Sequence, residues 1–199
     1  MTELLMPQSS EYIRLAADLQ SDSIVDGPGL RTVIWTQGCL HHCKECQNPQ
    51  TWDVDGGGLV KIKDVLNAID ELEDQDGITF SGGDPMYQVE ACSIIADYCK
   101  KKGYNIWVYT GFTFEEIIKM AKKNETYLNF LNNIDILVDG KFKIEERDLS
   151  LLFRGSKNQR LIDVQKTLKN KDIVLLDERE YNENSRSGEG GVRRIKRSR

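Results

Sequence analysis

The chain alternates short strand-like runs with helix-like segments, and this alternation limits its fold more than any other feature. Such alternation is typical of a parallel sheet whose faces are covered by helices. Because 199 residues are fewer than the roughly 250 of an eight-unit barrel, the sequence predicts an α/β fold built as an incomplete parallel (β/α) barrel. The predicted strands cover residues 32–36, 77–80, 105–109 and 134–138, and the predicted helices cover residues 59–73 and 89–102 and follow a capping box at Thr113.

The segments outside these elements divide the chain into three parts. Residues 161–164 and 173–176 are short apolar runs, and the lysine-rich stretch between them predicts a turn that joins two strands. From Asn182 the sequence is rich in glycine and serine and then basic, a composition that favours disorder. The expected division is an N-terminal extension over residues 1–22, one domain over residues 23–180 and a disordered basic tail over residues 181–199.

Composition indicates the cellular compartment and excludes some classes of partner. No run of about 18 apolar residues is present, and the N-terminus lacks the basic start and apolar stretch of a secretory signal. Five cysteines, three of them clustered, suit a reducing cytosol better than a disulfide scaffold. The net charge of −5 argues against general binding of nucleic acid. We therefore expect a cytoplasmic protein with neither a membrane nor a specific nucleic acid as partner.

Three cysteines directly follow the first predicted strand, with the spacing C-x3-C-x2-C: Cys39, Cys43 and Cys46. A four-iron cluster normally takes four thiolates, so three would leave one iron open to a small molecule. A zinc site of three cysteines and one histidine is the alternative, because His41 and His42 lie in the same loop. The adjacency of His42 and Cys43 argues against it, since closed zinc sites usually draw separated ligand pairs.

Other polar or glycine-rich stretches follow the later strands or precede the first. Residues 81–85 end the second strand and contain two glycines, where the backbone can approach a ligand closely. The alternative is a simple turn in which Asp84 caps the next helix. Residues 26–31 end in an arginine that could meet a carboxylate near the cysteine loop. Cys92 and Cys99 lie on one apolar stripe of a helix, which predicts core positions and not cluster ligands.

These motifs together resemble the radical S-adenosylmethionine enzymes, and residues 26–31 narrow the resemblance to activating enzymes of glycyl-radical proteins. Three further stretches are similar to the activators that serve anaerobic ribonucleotide reduction: Asn48 with Thr51 and Trp52, residues 138–142, and residues 154–160. The resemblance implies the incomplete barrel of the radical S-adenosylmethionine type over residues 23–180. It runs from about Ser23 to Val164 and leaves the first 20 residues and the tail outside.

The resemblance also implies a mechanism. The three cysteines would hold a [4Fe–4S] cluster whose fourth iron binds S-adenosylmethionine, and reductive cleavage would give methionine and a 5′-deoxyadenosyl radical. This radical would take a hydrogen from a glycine in the large catalytic subunit of the anaerobic ribonucleoside-triphosphate reductase. The electron would come from a low-potential donor such as reduced flavodoxin. An activator of pyruvate formate-lyase type and a zinc-stabilised binding module are the alternatives.

The same resemblance implies which residues form the site. Cys39, Cys43 and Cys46 would be the metal ligands and the catalytic residues. Glu45 stands where many enzymes of this superfamily place an aromatic residue against the adenine. The residues expected to bind the cofactor are Glu45, Cys46, Gln47, Gly82, Gly83, Asp84, Asp139 and Lys141.

Overall fold

The computed structural model describes residues 8–177, so the predicted tail over residues 181–199 lies outside the described part of the chain. The described residues form one mixed sheet with helices packed against it. The strands are β1 (Tyr12–Leu15), β2 (Gln20–Ser23), β3 (Arg31–Thr36), β4 (Gly58–Lys61), β5 (Gly77–Gly82), β6 (Asn105–Tyr109), β7 (Ile136–Asp139) and β8 (Arg160–Asp163). The helices are α1 (Ile62–Asp70), α2 (Val89–Lys101), α3 (Phe114–Ala121), α4 (Thr126–Asn133) and α5 (Val164–Asn170).

Four parallel strands form the centre of the sheet. β3, β5, β6 and β7 lie side by side in that order, and each neighbouring pair is parallel. The flanking strands are antiparallel: β1 and β2 pair with β3, β4 pairs with β1, and β8 pairs with β7. The α/β class and the four predicted strands are confirmed, but the sheet is mixed and not purely parallel.

Two predicted elements are wrong in part. The helix predicted over residues 59–73 begins only at Ile62, because residues 58–61 pair with β1 as a strand. The lysine-rich stretch predicted as a turn is helix α5, whose first turn is capped by the Asp163 carboxylate accepting from the Lys166 N–H at 3.0 Å. In place of the strand predicted over residues 173–176, the structure has one isolated bridge, which joins Leu175 to Ile162.

The N-terminal residues contribute two strands that were not predicted. β1 and β2 lie in the same sheet as the parallel core. The Gln88 side chain fastens β1 there: it accepts from the Arg14 N–H (2.7 Å) and donates to the carbonyls of Arg14 (2.8 Å) and Gln37 (2.9 Å). These pairings place residues 12–23 directly beside the strand that leads into the cysteine loop.

The main core lies between the sheet and its helices. Helix α2 presents Cys92, Ile95, Ala96 and Cys99 to this core, and all four side chains are fully buried. The prediction that Cys92 and Cys99 are core residues is confirmed. Helix α3 begins with the predicted capping box between Thr113 and Glu116. Within residues 8–177 no helix combines the length and apolar character needed to cross a membrane.

Candidate active site

A cavity of about 680 Å³ opens at the carboxyl ends of the four parallel strands. Parallel strands end at the same edge of a sheet, so the loops that follow β3, β5, β6 and β7 meet there. Each of these loops contributes to the lining, for example through Cys39, Gly83, Thr110 and Gly140. The volume lies in the range of small-molecule sites, about 300–1,000 Å³.

The loop after β3 brings three free thiols to this cavity. Its two ends are held together, because the Gly38 N–H donates to the Thr51 carbonyl (2.8 Å) and the Cys39 N–H donates to the Trp52 carbonyl (3.1 Å). A donor set of three thiols in one cavity fits a four-iron cluster with one iron left open to a ligand. The lining thiols are those of Cys39, Cys43 and Cys46.

The thiols of Cys39 and Cys43 lie in surroundings that oppose ionisation. Burial raises the pKa of the Cys39 thiol to about 12, and the charge of Asp84 adds to this shift. Burial also raises the pKa of Cys43, while the nearby charge of Lys141 opposes that change. Because a thiol must lose its proton to bind iron, loading a cluster here releases protons.

Gly82, the last residue of β5, and Gly83 let this strand end touch the backbone of the cysteine loop. Gly82 has a φ of +99°, and a Cβ there would lie 2.6 Å from the carbonyl oxygen of Thr36. A Cβ on Gly83 would lie 2.5 Å from the carbonyl oxygen of Gly38. The Gly83 N–H donates to the Thr36 carbonyl at 2.7 Å, which seals this contact. The glycines therefore have a reason within the chain, besides the predicted approach of a ligand.

Asp84 is buried (1% exposed) and joins three loops around the cavity. Its carboxylate accepts from the N–H groups of Met86 and Gly111, both at 2.9 Å, and from the Thr110 hydroxyl at 2.9 Å. The contact with Met86 caps the short 3₁₀ helix that follows, as the simpler sequence interpretation proposed. A fourth donor is Nε2 of His41, at 2.8 Å.

Both imidazoles of the cysteine loop contact neighbouring side chains, although His41 lines the same cavity as the thiols. The His41 ring lies edge-on to Phe112, with 4.5 Å between centroids, and the His42 ring lies edge-on to Trp52 at 4.9 Å. Among the described residues no His, Cys, Asp and Glu side chains are grouped in threes around a position for a metal ion. A single zinc ion lies within about 2.3 Å of each of its ligand atoms, so these atoms must converge on one point. A four-iron cluster binds each cysteine through a different iron, so its thiols stand farther apart. The positions of His41 and His42 do not favour the zinc alternative.

Three residues expected to bind the cofactor lie outside the cavity lining. Glu45 is exposed, with a φ of +54°. Asp139 is buried and accepts from the Arg160 guanidinium (Nε to Oδ1, 2.9 Å) and from the Phe114 N–H (2.8 Å). The side chain of Lys141 is exposed as well. The expected residues that do line the cavity are Cys46, Gln47, Gly82, Gly83 and Asp84.

The stretch at residues 154–160 fixes the loop after β7. The Gln159 side chain donates to the Gly140 carbonyl (3.1 Å) and accepts from the Gly155 N–H (2.9 Å). Asn158 donates from Nδ2 to the Lys141 carbonyl (2.8 Å). These bonds give the motif found in the sequence a physical role, which is to hold Gly140 at the edge of the cavity.

Part of the lining was not predicted from the sequence. Tyr109 is the last residue of β6, so its place at a strand end was a usable signal. Residues 151–153 reach the cavity from an irregular loop and are marked only by their apolar character in a polar stretch. Exposed Ile24 and Val25 line the cavity from the loop between β2 and β3.

Arg31 lies fully buried at the other end of β3 from the cysteine loop. Its guanidinium donates to the Thr79 hydroxyl (2.7 Å) and to the carbonyls of Ile78 (2.9 Å) and Asn105 (3.0 Å). These bonds tie β3 to the beginnings of β5 and β6. The expectation that Arg31 stands beside the cysteine loop is wrong, because the side chain points into the opposite end of the sheet.

Comparisons with known proteins agree with this site. The family model described as a 4Fe-4S single cluster domain matches residues 25–162. The chain is 35% identical over 144 residues, 68% of its length and 90% of the relative's, to the anaerobic ribonucleoside-triphosphate reductase-activating protein of Salmonella typhi. The protein of the same name in Escherichia coli (strain K12) gives the same values. That of Enterobacteria phage T4 is 35% identical over 143 residues, 69% of this chain and 86% of the relative.

The chain belongs to the family of anaerobic ribonucleoside-triphosphate reductase-activating proteins. This membership confirms the predicted enzyme class, an activating enzyme with a [4Fe–4S] cluster and S-adenosylmethionine as cofactors. Among solved structures, that of QueE from Escherichia coli matches 51% of this chain and 54% of its own, with 18% identity and a TM-score of 0.44. That similarity is too low to support a conclusion.

Proposed function

We propose that this protein activates an anaerobic ribonucleoside-triphosphate reductase by leaving a glycyl radical on its large catalytic subunit. The observation that carries the proposal is the meeting of three cysteine thiols and residues 82–84 in one cavity at the carboxyl edge of the sheet. The reductase as partner follows from the names of relatives that this chain matches over about nine-tenths of their length.

The three cysteines have the role of holding the cluster. Cys39, Cys43 and Cys46 would bind three irons of a [4Fe–4S] cluster and leave the fourth to the methionine part of S-adenosylmethionine. When bound, this cluster supplies the electron that cleaves the sulfonium. The surrounding residues would position the two cofactors. The apolar side chains of Ile24, Val25 and residues 151–153 line the cavity and would limit the access of water.

The remaining roles differ in part from those expected from the sequence. Backbone carbonyls of Gly82 and Gly83 would accept from the methionine ammonium, and Cys46 with Gln47 would border the adenosine. Asp84 would position these loops through its four donors. For Glu45, Asp139 and Lys141 the cavity lining gives no support, because their side chains lie outside it, and Asp139 orients Arg160 and the start of α3.

The electron donor, the compartment and the finer architecture complete the proposal. A low-potential donor such as reduced flavodoxin would reduce the cluster. All five cysteines are free thiols, which supports a reducing cytoplasm. We assign residues 23–180 to the catalytic domain and residues 1–22 to an extension that contributes strands to its sheet, while the predicted tail over residues 181–199 lies outside the described residues. The parallel core would curve as an incomplete barrel, with β4 and β8 as its open sides.

Anaerobic reconstitution with iron and sulfide tests the chemistry. After reduction, the wild-type protein should convert S-adenosylmethionine to methionine and 5′-deoxyadenosine, whereas the Cys43→Ala variant should not. Cys92→Ala is the matched control, because Cys92 lies buried in α2 and not in the cavity. Wild-type protein that holds zinc and gives no iron–sulfur spectrum would contradict the catalytic proposal and favour a binding module.

A second experiment tests the partner. The reduced protein is mixed with S-adenosylmethionine and either the anaerobic reductase subunit or pyruvate formate-lyase, and the glycyl radical is measured by electron paramagnetic resonance. We expect a signal with the reductase. A signal with pyruvate formate-lyase alone would keep the chemistry and change the partner.

A further inference from the structure

His41 is the side chain through which the cysteine loop reaches the other strand ends. Its imidazole donates from Nε2 to Oδ2 of Asp84 at 2.8 Å, and the side chains are only 6% and 1% exposed. Because a carboxylate can only accept, Nε2 must carry the hydrogen. His41 stands two residues from Cys39 and two from Cys43, so this bond anchors the segment between two predicted cluster ligands.

The ring of His41 is fixed by packing as well as by its hydrogen bond. Tyr87 and Phe112 lie against it, at 5.6 and 4.5 Å between centroids. A Cβ on Gly111 would lie 2.4 Å from Cδ2 of the imidazole, so only glycine leaves room for the ring there. The imidazole therefore has one orientation, and it is set by residues after β5 and β6.

Asp84 in turn connects His41 to the region where the methionine end of S-adenosylmethionine is proposed to bind. Asp84 directly follows Gly82 and Gly83, and its N–H donates to the Gly38 carbonyl at 3.0 Å. The same carboxylate also holds Thr110 and Gly111, which line the cavity. One buried acceptor thus joins the cysteine loop, the two glycines and the end of β6.

We propose that His41 is a positioning residue whose bond to Asp84 sets the cysteine loop relative to the S-adenosylmethionine subsite. This inference rests on the proposed function, and it assigns a role to a side chain that is neither a cluster ligand nor a predicted cofactor contact. Without the bond, the segment between Cys39 and Cys43 loses its tie to residues 82–84. The cluster and S-adenosylmethionine then meet in a less defined arrangement.

Two substitutions of similar size separate this role from simple packing. In His41→Gln the amide nitrogen can take the place of Nε2 and donate to Asp84. In His41→Asn the amide lies at the place of Nδ1 and is too short to reach the carboxylate. His42→Asn is the matched control, because His42 is the neighbouring histidine, is exposed and contacts Trp52 instead.

The measurement is made on the reconstituted full-length protein. The electron paramagnetic resonance spectrum of the reduced cluster is recorded while S-adenosylmethionine is added, and the change gives a dissociation constant. We expect His41→Gln and His42→Asn to remain within about threefold of wild type. We expect His41→Asn to bind about tenfold more weakly, which corresponds to about 1.4 kcal/mol, and to give a broader spectrum.

The outcomes distinguish this inference from the proposed function. A wild-type protein without a cluster signal, or without a spectral change on adding S-adenosylmethionine, contradicts the proposed function. A wild-type response that His41→Asn reproduces in affinity and line shape contradicts the role of His41. Loss of the response in both His41→Gln and His41→Asn also contradicts it, because the contact with Asp84 would then not be the property that matters.

Discussion

The two ends of the parallel core each contain a buried charged side chain, with different surroundings. At the carboxyl ends, Asp84 accepts from loops that line a cavity. At the amino ends, Arg31 donates to Thr79 and to strand carbonyls, and it does not line that cavity. Burial and charge alone therefore do not mark a functional residue. The hydrogen-bond partners of a buried charged side chain decide whether its removal affects chemistry or stability.

The largest expected effect separates a cysteine that lines the cavity from a cysteine in the core. Cys39→Ala should remove the iron–sulfur absorbance and reduce cleavage of S-adenosylmethionine to background, because one cluster ligand is lost. Cys99→Ala, in the core on α2, should keep the cluster and lower the free energy of unfolding by about 1 kcal/mol. Iron content and a urea unfolding curve check the pair. Equal iron loss in both variants would contradict the assignment of Cys39 to the cluster and of Cys99 to the core.

Arg31→Met tests the amino ends of the strands. The change leaves the Thr79 hydroxyl and the carbonyls of Ile78 and Asn105 without their guanidinium donor, so the free energy of unfolding should fall by about 3 kcal/mol. Urea denaturation measures this loss, and exposed Lys63→Met is the control. Protein that remains folded should still bind a cluster. Full stability with loss of the cluster would reverse the comparison.

Gly83→Ala tests the contact between the end of β5 and the cysteine loop. The new Cβ would lie 2.5 Å from the Gly38 carbonyl oxygen, and two backbones would have to separate. We expect a loss of about 2 kcal/mol in the free energy of unfolding together with reduced iron content. Gly58→Ala is the matched control, because a Cβ there meets nothing within 4 Å. Normal iron content in Gly83→Ala would show that the loop tolerates the displacement.

Glu115→Gln should have the smallest effect. The Arg160 guanidinium lowers the pKa of the Glu115 carboxyl from its usual value near 4.5 to about 2. The folded pKa is depressed, so this stabilisation is present above pH 4.5 and is lost as the pH falls toward 2. Because the carboxyl is half exposed, the loss at pH 7 should stay below about 1 kcal/mol. The difference in unfolding free energy between variant and wild type, measured by urea denaturation, should be smaller at pH 3 than at pH 7, and exposed Glu145→Gln is the control.

The sequence was informative where local pattern and tertiary position coincide. Strands β3, β5, β6 and β7 are buried, mainly apolar runs, and the cysteines and glycines lie at the ends of two adjacent ones. Since parallel strands end together, the meeting of Cys39 with Gly82 could be predicted without a structure. The core positions of Cys92 and Cys99 followed equally from helical periodicity.

Other features depend on contacts that no local pattern records. β2 consists of Gln, Ser, Asp and Ser and is a strand only because β3 offers an antiparallel edge. Arg31 follows a glycine-rich turn, and its direction depends on the space that Gly27 and Gly77 leave for it. The position of the loop after β7 depends on the bonds that Asn158 and Gln159 make to carbonyls seventeen and nineteen positions away.

The closed base of the cysteine loop has a consequence for recovery from oxygen damage. The bonds from Gly38 to Thr51 and from Cys39 to Trp52 are made by the backbone alone and do not need iron. A protein stripped of its cluster therefore keeps the two ends of the loop together and has only a short segment to order again. We therefore expect a lost cluster to be replaceable by ordering this segment alone, without refolding of the whole chain.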